Sequence, residues 1–451
     1  MKSKIKSKVK SKMKSKVKSK VMKEVKGVKG SAMAFISAIV VLSGIAAVGC
    51  TSSSEDQSAA SEVVKLDLEK AVKGARLANL SKFASDIKYI PLETGTESQI
   101  DKVNEFRYSN GKIYMMVGEL NENWILVFDE NGNFLKRLHK SGRGPGEYIR
   151  LGDIAVLEDN TIALISINKM LAYNLENDSL VFETSFDKIT EFSGNKRFKA
   201  IDASAYLGDG KYAVTTLTAS NDSVPERNML CLIDQESNIL QSAELPPYRY
   251  VNFKVQDGMI TLSKIVAIYM YDNSIHVPTA SSDTIYRYDK SFGRELAYVM
   301  DYGQYKKYLL EEMNNKDIVY TKEILDIGGS TEFPVKENDA MLMLYMVYPS
   351  GIFGADLDWE GNKTMAIYDK ADKEFYALKI DRKYNKVGFV NDIDNGAPFM
   401  PNYFCGNLMF DCIEAIDFID YAEKSGSEEM KRVAATLNEE SNPVLVMATL
   451  K

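Results

Sequence analysis

The 451-residue chain carries 56 Lys+Arg against 63 Asp+Glu, a net charge of −7, with four cysteines and two histidines. The charge is uneven: residues 1–49 hold 13 lysines and one acid, Glu24, so residues 50–451 carry −19. A body that acidic repels nucleic acid and anionic surfaces and suits neutral ligands, cations such as Ca²⁺, or a basic partner; His139 and His276 with the cysteines make no zinc-site spacing.

The chain opens with five Lys-Ser-Lys-x tetrads from Lys2 to Val21, then the apolar run "SAMAFISAIVVLSGIAAVGC" ending at Cys50. A basic leader, an apolar stretch and small residues read as a secretory signal, and the run is short beside the ~20 residues a spanning helix needs. "AAVGC" resembles a bacterial lipobox, with Gly49 before the acceptor Cys50 and Ala47 where leucine is usual. The Ser-rich "TSSSEDQSAASE" after it reads as a flexible tether. The expected division is a signal peptide over 1–49, a lipidated Cys50 and tether over 50–62, and one domain over 63–451, with translation starting at Met1 or Met22. Acyl chains on Cys50 would hold the domain at a membrane. Three other cysteines, an odd number, do not make a disulfide scaffold; Cys405 and Cys412 either pair or sit on adjacent strands.

From residue 103 an internal repeat organises the chain. "ILVFDENGNFL" (125–135), "LAYNLENDSLV" (171–181), "LCLIDQESNIL" (230–240), "IYRYDKSFGREL" (285–296) and "MAIYDKADKEFY" (365–376) each join a strand to a second strand through a polar turn led by Asp129, Asn174, Asp234, Asp289 or Asp369. Asp and Asn suit that place because their side chains hydrogen-bond the backbone two residues on. Each is preceded by a hairpin dipeptide and strand: "NGKIYMMV" (110–117), "DNTIALIS" (159–166), "DGKYAVTT" (209–216), "DNSIHVPT" (272–279) and "SGIFGADL" (350–357). Four antiparallel strands per unit is the size of a propeller blade.

Five units are explicit, over about 103–141, 151–186, 198–246, 261–302 and 341–380. "KVGFVNDI" (386–393), "NLMFDCIEAI" (407–416) and "PVLVMATL" (443–450) supply a sixth, and "SDIKYIPLE" (85–93) is a strand with no local partner. A ring resolves this: strands from the two chain ends complete one blade and leave no open edge. The expected fold is all-β, a six-bladed β-propeller of four-stranded antiparallel blades, the last closed by N- and C-terminal strands, with small helical insertions at 305–317 and 413–440.

The lipobox, "IPLE" (90–93), "GRGPGEY" (142–148), "SSDTIYRY" (281–288) and the closing "NPVLVMATLK" (442–451) resemble the six-bladed β-propeller lipoproteins of Bacteroidetes over about residues 85–451. The resemblance implies a TolB-like ring and an envelope location, and it carries over no catalytic residues.

Candidate chemistry is sparse. "SGRGPGEY" (141–148) has strand-like residues after it, not the helix a phosphate loop needs, so it reads as a corner between the outer strand of one blade and the inner strand of the next. Gly142, Gly144 and Gly146 permit positive φ and Pro145 fixes one φ. This would place Arg143, Glu147 and Tyr148 on one face of the ring, paired among themselves or touching a ligand. In "PPYRYVNF" (246–253), Tyr248, Arg249 and Tyr250 suit a contact surface or interblade packing. Asp153, Asp202, Asp392 and Asp394 lie near blade entrances, where carboxylates could hold Ca²⁺ in the channel. The expected function is an envelope-anchored propeller, at the outer membrane, that binds a small molecule, glycan or protein. The alternatives are a Ca²⁺-dependent hydrolase or lactonase using channel carboxylates, and a structural subunit of an outer-membrane complex.

Overall fold

A computed structural model describes residues 63–451 except 120–121, 159, 193–200, 217–228, 247–252, 257–258, 263–265, 279–282, 307–325, 328–334, 348–351 and 358–362. Six antiparallel blades follow in chain order. Blade 1 is Val103–Ser109, Lys112–Glu119, Glu122–Asp129 and Phe134–Leu138; blade 2 is Leu151–Val156, Thr161–Ser166, Lys169–Asn174 and Leu180–Ser185. Blade 3 is Ile201–Gly208, Lys211–Thr216, Met229–Ile233 and Ile239–Glu244. Blade 4 is Tyr269–Tyr271, Ser274–Pro278, Thr284–Tyr288 and Arg294–Asp301. In blade 5 the short strands Asp326–Ile327 and Lys336–Glu337 both pair Met341–Val347, followed by Lys363–Asp369 and Glu374–Ala377.

Blade 6 closes the ring. Tyr403–Cys405, Leu408–Ile413 and Val444–Leu450 come from the C-terminal end, and Ala84–Pro91 adds the outer strand. Ile87 lies opposite Ala448, Tyr89 opposite Val446 and Ile90 opposite Leu445, so the two chain ends share one sheet as expected. Neighbouring inner strands touch all the way round, with Tyr403–Cys405 of blade 6 meeting Val103–Ser109 of blade 1.

The strands read as near-continuous apolar runs because each blade is buried on both faces, and the period-2 alternation sorts its side chains between two interfaces. In blade 1, Tyr114, Met116, Ile125 and Val127 pack with Ile154, Ile162 and Leu171 of blade 2. The intervening Ile113, Met115, Leu126 and Phe128 pack with Phe410 and Leu445 of blade 6. Similar apolar clusters fill the other blade–blade interfaces.

The turns follow the sequence closely. Asn110–Gly111, Asp209–Gly210 and Asp272–Asn273 all have positive φ, between 47° and 70°, as two-residue hairpins require. Asp129 Oδ1 accepts the Asn131 and Asn133 N–H groups at 2.8 and 2.9 Å; Asn174, Asp234, Asp289 and Asp369 likewise accept the N–H two residues on.

Three segments differ from expectation, and the 413–440 insertion follows it. Before its blade 6 strand the chain adds Val64–Asp67 in parallel to Arg294–Asp301, forms the helix Leu68–Lys73, and bridges Arg76 to Leu378 and Asn79 to Val390. It thereby runs along blades 4 and 5 before reaching blade 6. "KVGFVNDI" contributes only Lys386–Val387, paired with Ile380–Asp381, because the place it was assigned is taken by Tyr403–Cys405. The described part of "SGIFGADL" forms bends and turns, and blade 5 takes its inner strands from upstream. The 413–440 insertion is two helices, Ala415–Lys424 and Glu428–Ala434, broken at Ser425–Gly426, with Ser427 Oγ accepting the Met430 N–H at 3.0 Å. The helix expected at 305–317 falls, past Lys306, outside the described residues.

Candidate functional site

The inner strands surround the bore, so polar residues on them decide what the bore can do. Arg107 on the inner strand of blade 1 is paired to Asp153 on that of blade 2, and its Nη1 stands 3.2 Å from Glu105 Oε2. Asp153 Oδ2 accepts from Ser204 Oγ of blade 3 at 2.7 Å, and Oδ1 accepts the Ile154 N–H. Burial opposes the Arg107 charge, but Asp153 and Glu105 outweigh it and raise its pKa. A polar belt thus links three consecutive blades.

A second cluster joins blades 4 and 5. The carboxylate of Glu337 has no exposed side-chain surface; it accepts from Tyr269 Oη at 2.7 Å and Lys370 Nζ at 2.8 Å, and also from Tyr298 Oη. His276 Nε2 stands 4.0 Å away, its ring stacked on Tyr269 at 4.9 Å. Burial lowers the pKa of His276 and, against the pull of Glu337, that of Lys370; burial and then Glu337 push Tyr269 well up. With donors crowding this carboxylate, the cluster is arranged as a strut between blades and offers no free base. Between blades 5 and 6, Lys336 Nζ lies 5.3 Å above the Tyr403 ring, which stacks on Phe106 of blade 1 at 4.8 Å.

The residues singled out in the sequence fall into three groups. Within the Gly-rich corner, which does link blade 1 to blade 2, Arg143 is exposed and makes no hydrogen bond or ion pair among the described residues. Glu147 turns back to accept the Gly144 N–H at 2.7 Å. Tyr148, expected at a ligand face, is fully buried: its hydroxyl donates to Asn123 O at 2.7 Å, and its backbone N–H and C=O bond Lys140 and Gly142. Gly146 takes φ 73°, whereas Gly144 needs no positive φ and instead gives room to the Glu147 carboxylate.

The carboxylates proposed for Ca²⁺ do not converge. Asp153 is engaged by Arg107 and Ser204. Asp392 accepts from Ser81 N and Oγ at 2.9 and 2.6 Å, fixing the N-terminal segment. Asp394 accepts from Tyr89 Oη, Asn391 Nδ2 and Ser427 Oγ, tying strand Ala84–Pro91 to the helical insertion. Each is held by protein donors that stand where a cation would need open oxygens. Among the described residues no group of three or more His, Cys, Asp and Glu is placed to bind a metal. The side chain of Asp202 on the inner strand of blade 3, and Tyr248, Arg249, Tyr250 and Cys50, lie outside the described residues. Cys405 and Cys412 are free thiols facing Leu408 and Leu445 on neighbouring strands.

Arg107 and Glu337 were missed in the sequence. Glu105 and Arg107 are two apart on an inner strand and so share a face, a signal present in "EFRYS". Glu337 lies on a two-residue strand that carries no periodicity.

The family match is decisive at this point. The chain belongs to the family described as Domain of unknown function (DUF4934), matched over residues 63–449. Among solved structures it is similar to a Bacteroides fragilis NCTC 9343 protein inferred to be exported, at 17% identity and TM-score 0.60, over 86% of this chain and 100% of that one. It also matches a DUF4221-family member from Bacteroides vulgatus, at 12% identity and TM-score 0.44, over 82% of this chain and 97% of that one. No curated protein matches it significantly. The likeness to the B. fragilis structure speaks for the fold alone.

Proposed function

We propose that this chain is an envelope lipoprotein, acylated at Cys50, whose propeller binds a ligand or protein partner through one face of the ring. The observation that carries this reading is the asymmetry of the two faces. In an antiparallel meander, alternate connections emerge on the same side. One side receives the tight hairpins and Asp turns at 110–111, 129–133, 209–210, 234–238, 272–273 and 289–293. The other receives the connections 139–150 and 378–402 and the two-helix insertion between Leu408–Ile413 and Val444–Leu450. Binding residues concentrate on loops carried by a rigid scaffold. Arg143 belongs to that second set of connections; Tyr250 follows blade 3 in sequence, outside the described residues.

Location in the envelope rests on the basic leader, the apolar run and "AAVGC". The saturated state of the Glu337 and Asp153 clusters favours binding over the hydrolase reading.

Photo-crosslinking amino acids at Arg143 and Tyr250, with Asn110 and Asp272 as turn-face controls, test the reading in intact cells. Adducts from the first pair only are expected, and they should persist in isolated envelopes and vanish from that fraction in Cys50→Ala. Equal adducts from the turn face, or an unchanged distribution of Cys50→Ala, would contradict it.

A further inference from the structure

Beyond blade 1, the outer wall carries a cleft of about 360 Å³ lined by Glu97, Arg137, Leu138, His139, Lys140 and Asp178. That is within the range of small-ligand sites. Arg137 and Lys140 offset Glu97 and Asp178 in its lining, so the cleft is formally neutral in a domain that is −19 past residue 49. Three basic side chains meet here, and the acids opposite do not satisfy them. Asp178 is committed to Lys136, Oδ1 to Nζ at 2.6 Å. Glu97 is well exposed, and its Oε2 stands 3.7 Å from Arg137 Nη1, beyond hydrogen-bond distance.

Arg137 is the second observation. Its guanidinium makes no hydrogen bond among the described residues, and Nε is buried and without a partner. An unpaired buried N–H costs free energy, and the rest of the guanidinium, on a side chain 28% exposed, keeps N–H donors free for an incoming acceptor. The group is nevertheless held in place: its Cζ lies 4.5 Å from the Trp124 ring centroid, and His139 packs on the same indole at 5.7 Å. Stacking occupies the faces of a guanidinium and leaves its in-plane N–H fork for a ligand. Lys140 Nζ lies 5.5 Å from the Tyr173 ring centroid and has no acid partner among the described residues.

The Gly-rich corner explains how Lys140 is placed. Tyr148 N donates to Lys140 O at 3.0 Å, and Gly142 N to Tyr148 O at 2.9 Å. The Tyr173 hydroxyl donates to Gly146 O. Corner and cleft therefore share one hydrogen-bonded frame.

We infer that this cleft is a binding site for an oxyanion group, a carboxylate or a phosphoryl, with Arg137 as the fork and Lys140 as the second charge. The site stands without the anchor and loop-face reading. The shared chemistry has two sources, an acidic polysaccharide or a phosphorylated compound.

The test is calorimetric titration of the full-length protein at low ionic strength with oligogalacturonate and, separately, inorganic phosphate. Binding of either is expected, weakening with salt; oligogalacturonate alone or more tightly marks a carboxylated polymer, phosphate alone a phosphoryl source. The pair Arg137→Gln/Lys140→Gln should weaken binding about tenfold or more, whereas Arg382→Gln/Lys383→Gln, on the distant blade 5 connection, should not. Glu97→Gln removes the acid facing Arg137 and should tighten binding, which keeps the proposal testable if the double variant folds poorly. No binding of either probe, equal weakening by the distant control, or no tightening in Glu97→Gln overturns it.

Discussion

Replacing Glu337 gives the sharpest test of how the blades are held together. Its side chain is fully buried and receives three donors, the hydroxyls of Tyr269 and Tyr298 and the Lys370 ammonium. Glu337→Leu would take this acceptor from both hydroxyls and leave the Lys370 charge only the Asn338 carbonyl, at 2.6 Å, and removal of one partner of a buried ion pair costs about 3–5 kcal/mol. Lys370→Met is milder, because the carboxylate keeps both tyrosines and the lysine side chain retains 17% exposure. The double variant Glu337→Leu/Lys370→Met removes both charges and should recover much of the loss, since apolar replacement of a buried pair is often neutral. Urea unfolding followed by tryptophan fluorescence and circular dichroism measures all three. A loss in Glu337→Leu below about 1 kcal/mol, the scale of an exposed pair, would refute the account of Glu337 as an interblade strut.

Other consequences follow from the same contacts. Burial first, and then Arg287 and Lys370, lower the His276 pKa, while Glu337 and Ser274 oppose them. The unfolded chain therefore takes up that proton first as pH falls below about 6.5. The contribution of neutral His276 is full above that pH and is lost as pH falls toward its folded pKa, so the stability gap between wild type and His276→Phe should change between pH 7 and 5; parallel curves would contradict this. At the Gly-rich corner, a Cβ on Gly142 would lie 2.0 Å from Glu147 Oε2. Gly142→Ala should cost about 1 kcal/mol, because the Glu147 carboxylate can swing aside only by giving up the Gly144 N–H, and Glu147→Ala in the same chain should relieve part of it; an equal cost in both backgrounds would count against the geometry.

The ring was legible because its signals are local. An Asp that closes a turn finds its donor, a backbone N–H, two residues on, and Asn110–Gly111 or Asp209–Gly210 fixes a hairpin within four residues. The strand Ala84–Pro91 could be placed only through topology, by asking what would cover an open edge. The preceding Val64–Asp67 strand escaped because it pairs in parallel with residues more than 200 positions away. The site was less legible for a related reason. An Asp near a blade entrance reads alike whether it binds a cation or anchors a neighbour, and the partners that decide are remote: Ser81 lies 311 positions from Asp392, and Arg107 lies 46 from Asp153. Tyr148 was misplaced because a glycine-rich loop suggests exposure, while its aromatic ring fills the interface between blades 1 and 2.

Closure of the ring by the two chain ends underlies every placement above, and a paired-cysteine cross-link tests it directly. Lys88 lies opposite Met447, whereas Val446 lies opposite Tyr89 and so points to the other face of the sheet. Under mild oxidation, Lys88→Cys/Met447→Cys should form an internal disulfide that changes migration on a non-reducing gel, and Lys88→Cys/Val446→Cys should not. Absence of a bridge in the first pair, or equal bridging in both, would contradict the closed six-bladed ring.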